Sequence, residues 1–151
     1  MVTLYDAPAD ELIEALAAKL DDRLEEPEWA RYAKSGPHKE LPPEQEDFWA
    51  RRAASILRKV AMNNPIGVER LATEYGGTRD GSNRYRVAPS TRTDASQKII
   101  REILQQLEDE GLIMTREGEG RDVTPEGQRF LDTTAGEVLE DLDSPELERY
   151  V

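Results

Sequence analysis

Between Glu44 and Asn64 the chain reads EQEDFWARRAASILRKVAMNN, without a single glycine or proline. Ala, Leu, Arg and Lys all favour helix. Trp49, Ala53, Ile56, Leu57 and Val60 fall at i, i+4, i+7, i+8 and i+11, which is one apolar stripe of a helix. Arg51, Arg52, Ser55, Arg58 and Lys59 recur with the same period on another face. At about 100° per residue the two sets centre roughly 140° apart. One side of this helix therefore belongs in a core, and the other presents four positive charges. A cationic helix face is often only a solvated surface. Its contrast with the rest of the chain gives it weight here.

The chain of 151 residues has a formal net charge of −12, which at face value argues against a nucleic-acid partner. The distribution argues the other way. Residues 48–101 hold eleven Lys or Arg against four acids, a balance of +7, while the remainder holds nine bases against twenty-eight acids, a balance of −19. A basic centre lies between acidic arms. Fifteen of the twenty bases are Arg. Many acids with few Lys and few large aliphatics suit a chain adapted to high salt, where self-repulsion is screened within roughly 3 Å at molar ionic strength.

The length predicts one domain over residues 1–151, with an acidic tail at about 143–151. The absence of Cys excludes a disulfide framework and a thiolate metal site, and one His leaves little imidazole chemistry. The opening MVTLYDAPADE has no basic start and no apolar run, which predicts no signal peptide. No stretch approaches the roughly 18 apolar residues of a membrane span. A soluble cytoplasmic protein is expected.

Leu12, Ile13, Leu16, Leu20 and Leu24 form a stripe that predicts a first helix from Pro8 to Glu26, ended by Pro27. A short helix to about Ser35 follows, with Trp29 and Tyr32 placed to pack together. The prolines of His38-Lys39-Glu40-Leu41-Pro42-Pro43 forbid helix there. His38 is expected to make a polar loop contact. Ile66 to Tyr75 reads as a short helix with Val68, Leu71 and Ala72 inward and Gly76 past its end. Gly76 to Arg92 reads as a loop or loose hairpin. Its Arg79, Arg84 and Arg86 suit a phosphate surface, and Tyr85 suits stacking on a base. Thr93 or Asp94 should cap the next helix, with Gln97 completing a box from Asp94. That helix runs to about Glu110, buries Ile99, Ile100, Ile103, Leu104 and Leu107, and carries Lys98 and Arg101 near its exposed start. Leu112–Arg116 and Arg121–Thr124 around Glu117–Gly120 predict a β-hairpin. Thr124 and Pro125 suit the start of a last helix reaching about Leu142.

The fold class expected is mainly α: a helical bundle with a winged-helix-like core and one small β-hairpin. In helix-turn-helix proteins the second helix enters the major groove and a hairpin wing touches the backbone. Here Glu102 to Glu110 of the corresponding helix carry no base at all, which is a poor surface for duplex DNA. The bases sit on the helix before it and on the loop between.

Five blocks occur in order: His38-Lys39-Glu40-Leu41-Pro42-Pro43; Arg52-Ala53-Ala54-Ser55-Ile56-Leu57-Arg58-Lys59; Tyr75-Gly76-Gly77; Leu104-Gln105-Gln106-Leu107-Glu108; and Gly120-Arg121-Asp122-Val123-Thr124-Pro125-Glu126-Gly127. Together, over about residues 5–135, they closely resemble the small-subunit ribosomal protein nineteen family shared by archaea and eukaryotes. The acid content points to a halophilic archaeal member, whereas the usual member is basic. The resemblance implies binding to ribosomal RNA in the head of the small subunit, neighbouring ribosomal proteins as partners, and a role in subunit assembly and pre-rRNA maturation. It matches family RNA contacts to Arg52, Ser55 and Arg58, a functional arginine to Arg101, and the hairpin Gly-Arg to Gly120 and Arg121.

The expected site is therefore a non-enzymatic RNA clamp: Arg51, Arg52, Arg58 and Lys59 on phosphates, Ser55 donating a hydrogen bond, Arg79, Arg84 and Arg86 following the backbone, and Lys98, Arg101 and Arg121 beside them. No cofactor, metal, membrane or small-molecule substrate is expected. A winged-helix DNA-binding regulator is the alternative, and a protein adaptor leaves the Arg cluster unexplained. No phosphate-binding Gly loop or nucleophile–base pair points to an enzyme.

Overall fold

The computed structural model describes residues 2–79 and 90–142. Its helices are α1 (Ala9–Asp21), α2 (Phe48–Met62), α3 (Val68–Glu74), α4 (Gln97–Asp109) and α5 (Pro125–Leu142), with a 3₁₀ turn at Glu28–Arg31. The strands are β1 (Gly77–Arg79), β2 (Thr91–Thr93), β3 (Ile113–Arg116) and β4 (Gly120–Val123). Arg84, Arg86, Tyr85 and the acidic tail lie outside the described residues.

The stripe on α2 organises the interior. Trp49, Ala53, Ile56, Leu57 and Val60 are all buried, each large aliphatic contributing about 1.5–3 kcal/mol relative to exposure. α1 and α4 pack against α2, and α5 closes on α1. The buried side chains form one continuous cluster that includes Leu12, Leu16, Leu71, Ile99, Ile103, Leu107 and Leu131.

From α2 onward the order is helix, helix, helix, hairpin, helix, and the core is winged-helix-like. Ile66 stands where a short first strand would lie. Its N–H donates to the Arg121 carbonyl (3.0 Å), and the Arg121 N–H donates back (2.8 Å). That pairing needs Gly120, which has φ +117° and a backbone so close to Ile66 that a Cβ would stand 2.7 Å from its carbonyl carbon. The wing β3–β4 pairs Ile113 with Val123 through Arg116 with Gly120. Thr124 begins α5 as expected: its hydroxyl accepts the Gly127 N–H (3.0 Å) and donates to the Gly111 carbonyl (2.6 Å).

Local details depart from the sequence expectations. The first helix stops at Asp21 rather than Glu26. Asp21 and Asp22 oppose the negative end of the helix dipole, and the chain peels away to meet α4. There Arg23 Nε donates to Glu110 (3.0 Å), and Gln106 donates to the Glu25 carbonyl (2.8 Å). The short helix is one 3₁₀ turn, so Tyr32 falls outside it and is 79% exposed. Trp29 packs edge-on against Trp49 instead, with ring centroids 6.1 Å apart.

The 76–92 segment takes the hairpin form at its ends, β1 pairing antiparallel with β2 from Gly77–Thr93 to Arg79–Thr91. The fold thus carries a second two-stranded ribbon in addition to the wing, where one hairpin was expected. Because Thr93 is held in β2, Ser96 sits at the N-cap of α4, and no side-chain hydrogen bond completes the box expected from Asp94. Backbone ties replace it: the Ala95 N–H donates to Ala72 (2.9 Å) and the Ser96 N–H to Ser35 (2.8 Å).

Candidate nucleic-acid interface

The polar face of α2 meets the end of α3 at Tyr75. Arg52 stacks on that ring, its guanidinium carbon 4.3 Å from the centroid and 5.1 Å from that of Phe48. Lys59 approaches the same ring at 4.9 Å and pairs with Glu74 at 3.2 Å. The Ser55 hydroxyl and the Tyr75 phenol share a hydrogen bond of 2.5 Å. Burial pushes the phenol up to about 12, the bond from Ser55 opposing the shift. It stays neutral in any ordinary buffer.

Among the described residues Arg52 has no carboxylate partner, and burial lowers its pKa from the usual arginine value. Arg58 also lacks one, and its Nε is buried without a hydrogen-bond acceptor. A guanidinium withdrawn from water without an anion is costly to keep. Arg51 differs. Its Nε donates to Asp47 at 2.6 Å, and its outer nitrogen lies 3.6 Å from Glu14. Those carboxylates, Asp47 first, raise its pKa. The four α2 cations are therefore two paired and two unpaired.

His38 joins this face. Its ring lies against Gly36 and Gly77 so tightly that a Cβ on either glycine would stand 2.7 Å away. Burial lowers its pKa, helped by Lys39, Arg52 and Arg92. Its Nδ1 is buried with no hydrogen-bond partner among the described residues, so the polar loop contact expected of it is not made through that nitrogen. Arg79 is exposed on β1, and Arg92 on β2 donates to the Thr73 carbonyl at 2.5 Å.

The remaining predicted residues stand apart from Tyr75. Lys98 lies 4.4 Å over the ring of Trp29. Arg101 is exposed on α4. Arg121 is held at the wing through Ile66, with its Nε buried and unpartnered.

Beside the face lies an open hollow of about 420 Å³, walled by the 35–45 segment and α2. Its lining combines Arg51, Arg52, Ser55 and Tyr75 with Leu41, Pro43 and Phe48. Sequence periodicity placed the α2 cations but missed Tyr75 and Phe48 as their platforms. The one available signal was an aromatic residue directly after a short helix, in the Tyr75-Gly76-Gly77 block.

The class these observations define is a small, mainly helical winged-helix protein with a cationic face on its central helix. Among the described residues no group of acids or His could hold a metal ion, and no helix is long and apolar enough to cross a membrane. The chain belongs to the ribosomal protein S19e family, whose model matches residues 3–141. It is 57% identical over 152 residues to the small ribosomal subunit protein eS19 of Haloarcula marismortui, covering 99% of each chain. The protein of the same name from Aeropyrum pernix is 45% identical over 157 residues and the whole of both chains. Small ribosomal subunit protein eS19B of Schizosaccharomyces pombe is 36% identical over 142 residues, 93% of this chain and 96% of the other. The family is one of structural ribosomal proteins and not of enzymes, and it is the archaeal and eukaryotic type that the five blocks resemble.

Proposed function

We propose that this protein is a structural constituent of the small ribosomal subunit, working in the cytoplasm as a single domain that binds ribosomal RNA in the head of the subunit and supports its assembly and pre-rRNA maturation. Its partners are that RNA and neighbouring small-subunit proteins. The observation that carries the RNA reading is Arg52, held between Phe48 and Tyr75 with no carboxylate of its own among the described residues. An oriented, unneutralised guanidinium is ready to take a phosphate on its planar fork. Arg58, six residues further along α2, likewise has no carboxylate partner among the described residues. Arg51 and Lys59 reach phosphates by exchanging exposed acids for them, and Arg79, Arg84, Arg86, Lys98, Arg101 and Arg121 extend the contact. The Ser55 hydroxyl, hydrogen-bonded to Tyr75, turns its own O–H to a phosphate oxygen when the phenol acts as donor between them. A DNA-binding regulator finds no support in α4, whose second half presents Glu108 and Asp109 to solvent.

Co-sedimentation tests the proposal. The Arg52→Glu/Arg58→Glu variant, made in a high-potassium host, should keep its helix content by circular dichroism and leave the small-subunit peak of a sucrose gradient. If it travels with small subunits as the wild type does, the α2 clamp is wrong.

A further inference from the structure

The hollow beside α2 has walls that phosphate binding does not use. A surface for phosphates alone needs cations and donors, and Arg51, Arg52 and Ser55 supply them. Yet Leu41, Pro43, Phe48 and Ile13 also line it. Leu41 is 66% exposed. Pro42 confines Leu41 to extended backbone, so the segment runs along the edge of the hollow instead of folding into the core. Methionine apart, Leu41 is the one aliphatic side chain among the exposed large apolar residues described; the others are Tyr5, Tyr32, Met62 and Met114.

An apolar wall next to a cationic one matches a nucleotide. A base offers flat apolar faces, and its phosphate lies within a few ångströms of them. The volume falls within the roughly 300–1,000 Å³ of small-ligand sites. A duplex would present only sugars, phosphates and base edges here, leaving the apolar wall wet. Resting on the RNA-binding reading above, the geometry points to the hollow as a pocket for one unpaired nucleobase. The base lies against Leu41, Pro43 and Phe48, and its phosphate is held by Arg52 with Arg51. Aliphatic and aromatic walls grip a base by its face, which every base has, so the pocket selects unpaired RNA over paired RNA more than one base over another.

Fluorescence anisotropy with the full-length protein tests this. The probes are a labelled single-stranded RNA of mixed sequence and the duplex of that sequence, each about a dozen nucleotides long, titrated across a potassium chloride series. The wild type should prefer the single strand. Leu41→Ser, at a site too exposed to threaten folding, should lower that affinity about tenfold without changing the salt slope. Arg52→Gln should make the slope shallower by about 0.7. Wild-type affinity in Leu41→Ser, or a wild-type preference for the duplex, overturns the pocket while the RNA reading stands. Failure of the wild type to bind either RNA or ribosomal RNA removes both. If Leu41→Ser binds RNA normally but no longer enters small subunits, the hollow takes a protein segment and the base pocket is wrong.

Discussion

Arg52 sets stability against binding. Its charge sits between Phe48 and Tyr75, largely out of water, and no described carboxylate neutralises it. Cation–π contacts return about 0.5–2 kcal/mol, less than the several kcal/mol that desolvating an ion costs. Arg52→Met keeps most of the length of the side chain and removes the charge. It should leave the urea midpoint unchanged or raise stability by about 1 kcal/mol, while weakening RNA binding at least tenfold. A variant that loses stability would show that Arg52 belongs to the fold rather than to a ligand. The arginines were legible in the sequence because helical period alone puts Arg58 opposite the Trp49 stripe and Arg52 on its flank. Tyr75 was not legible as its platform. Ser55 and Tyr75 are joined across 20 residues of chain, and only the packed α2–α3 corner brings them together.

Whole elements were legible where one segment supplies its own periodicity. Every residue of the α2 and α4 stripes is buried; α4 buries no other, while α2 also buries Phe48, Ala50, Ala54 and Ala61. Ends and registers that depend on distant partners were not: α1 stops early to meet α4, and the loose hairpin read over 76–92 did not give the register of β1 with β2. The wing shows both cases. Its hairpin could be read from Gly118 and Gly120, but its attachment to Ile66 could not. The two glycines give a paired test of that attachment. Both have positive φ, +76° at Gly118 and +117° at Gly120, and only Gly120 has backbone in the way of a Cβ. Gly118→Ala should cost about 1 kcal/mol, the ordinary left-handed penalty. Gly120→Ala adds a clash with the Ile66 carbonyl and should cost at least about 2 kcal/mol more. Urea denaturation of both variants measures the difference. Equal losses would mean the Ile66–Arg121 pairing contributes nothing beyond the turn.

At the scale of the molecule, charge asymmetry was the most legible property, and it decides how salt acts. The chain outside residues 48–101 carries a balance of −19. Its ion pairs are mostly exposed, such as Lys19–Glu137 at 2.8 Å and Arg116–Glu119 at 3.8 Å, and pairs of that kind are worth about 0–1 kcal/mol each. Salt weakens both the pairs and the repulsion. The pairs are few and short, so their loss is small. The repulsion acts between many carboxylates at longer range, and it fades as the screening length falls from about 10 Å at 0.1 M to about 3 Å at 1 M. Raising potassium chloride from about 0.1 to about 2 M should therefore raise the urea midpoint. A falling midpoint would mean that the ion pairs outweigh the repulsion and that the acid excess is not an adaptation to salt. The RNA binding we propose runs the opposite way, since each phosphate contact loses affinity with log salt at a slope of about −0.7 to −0.9. The fold and its ligand therefore favour opposite ends of the salt scale. At molar potassium, affinity must come from contacts that salt does not screen, which gives the Leu41 wall more influence there than in dilute buffer.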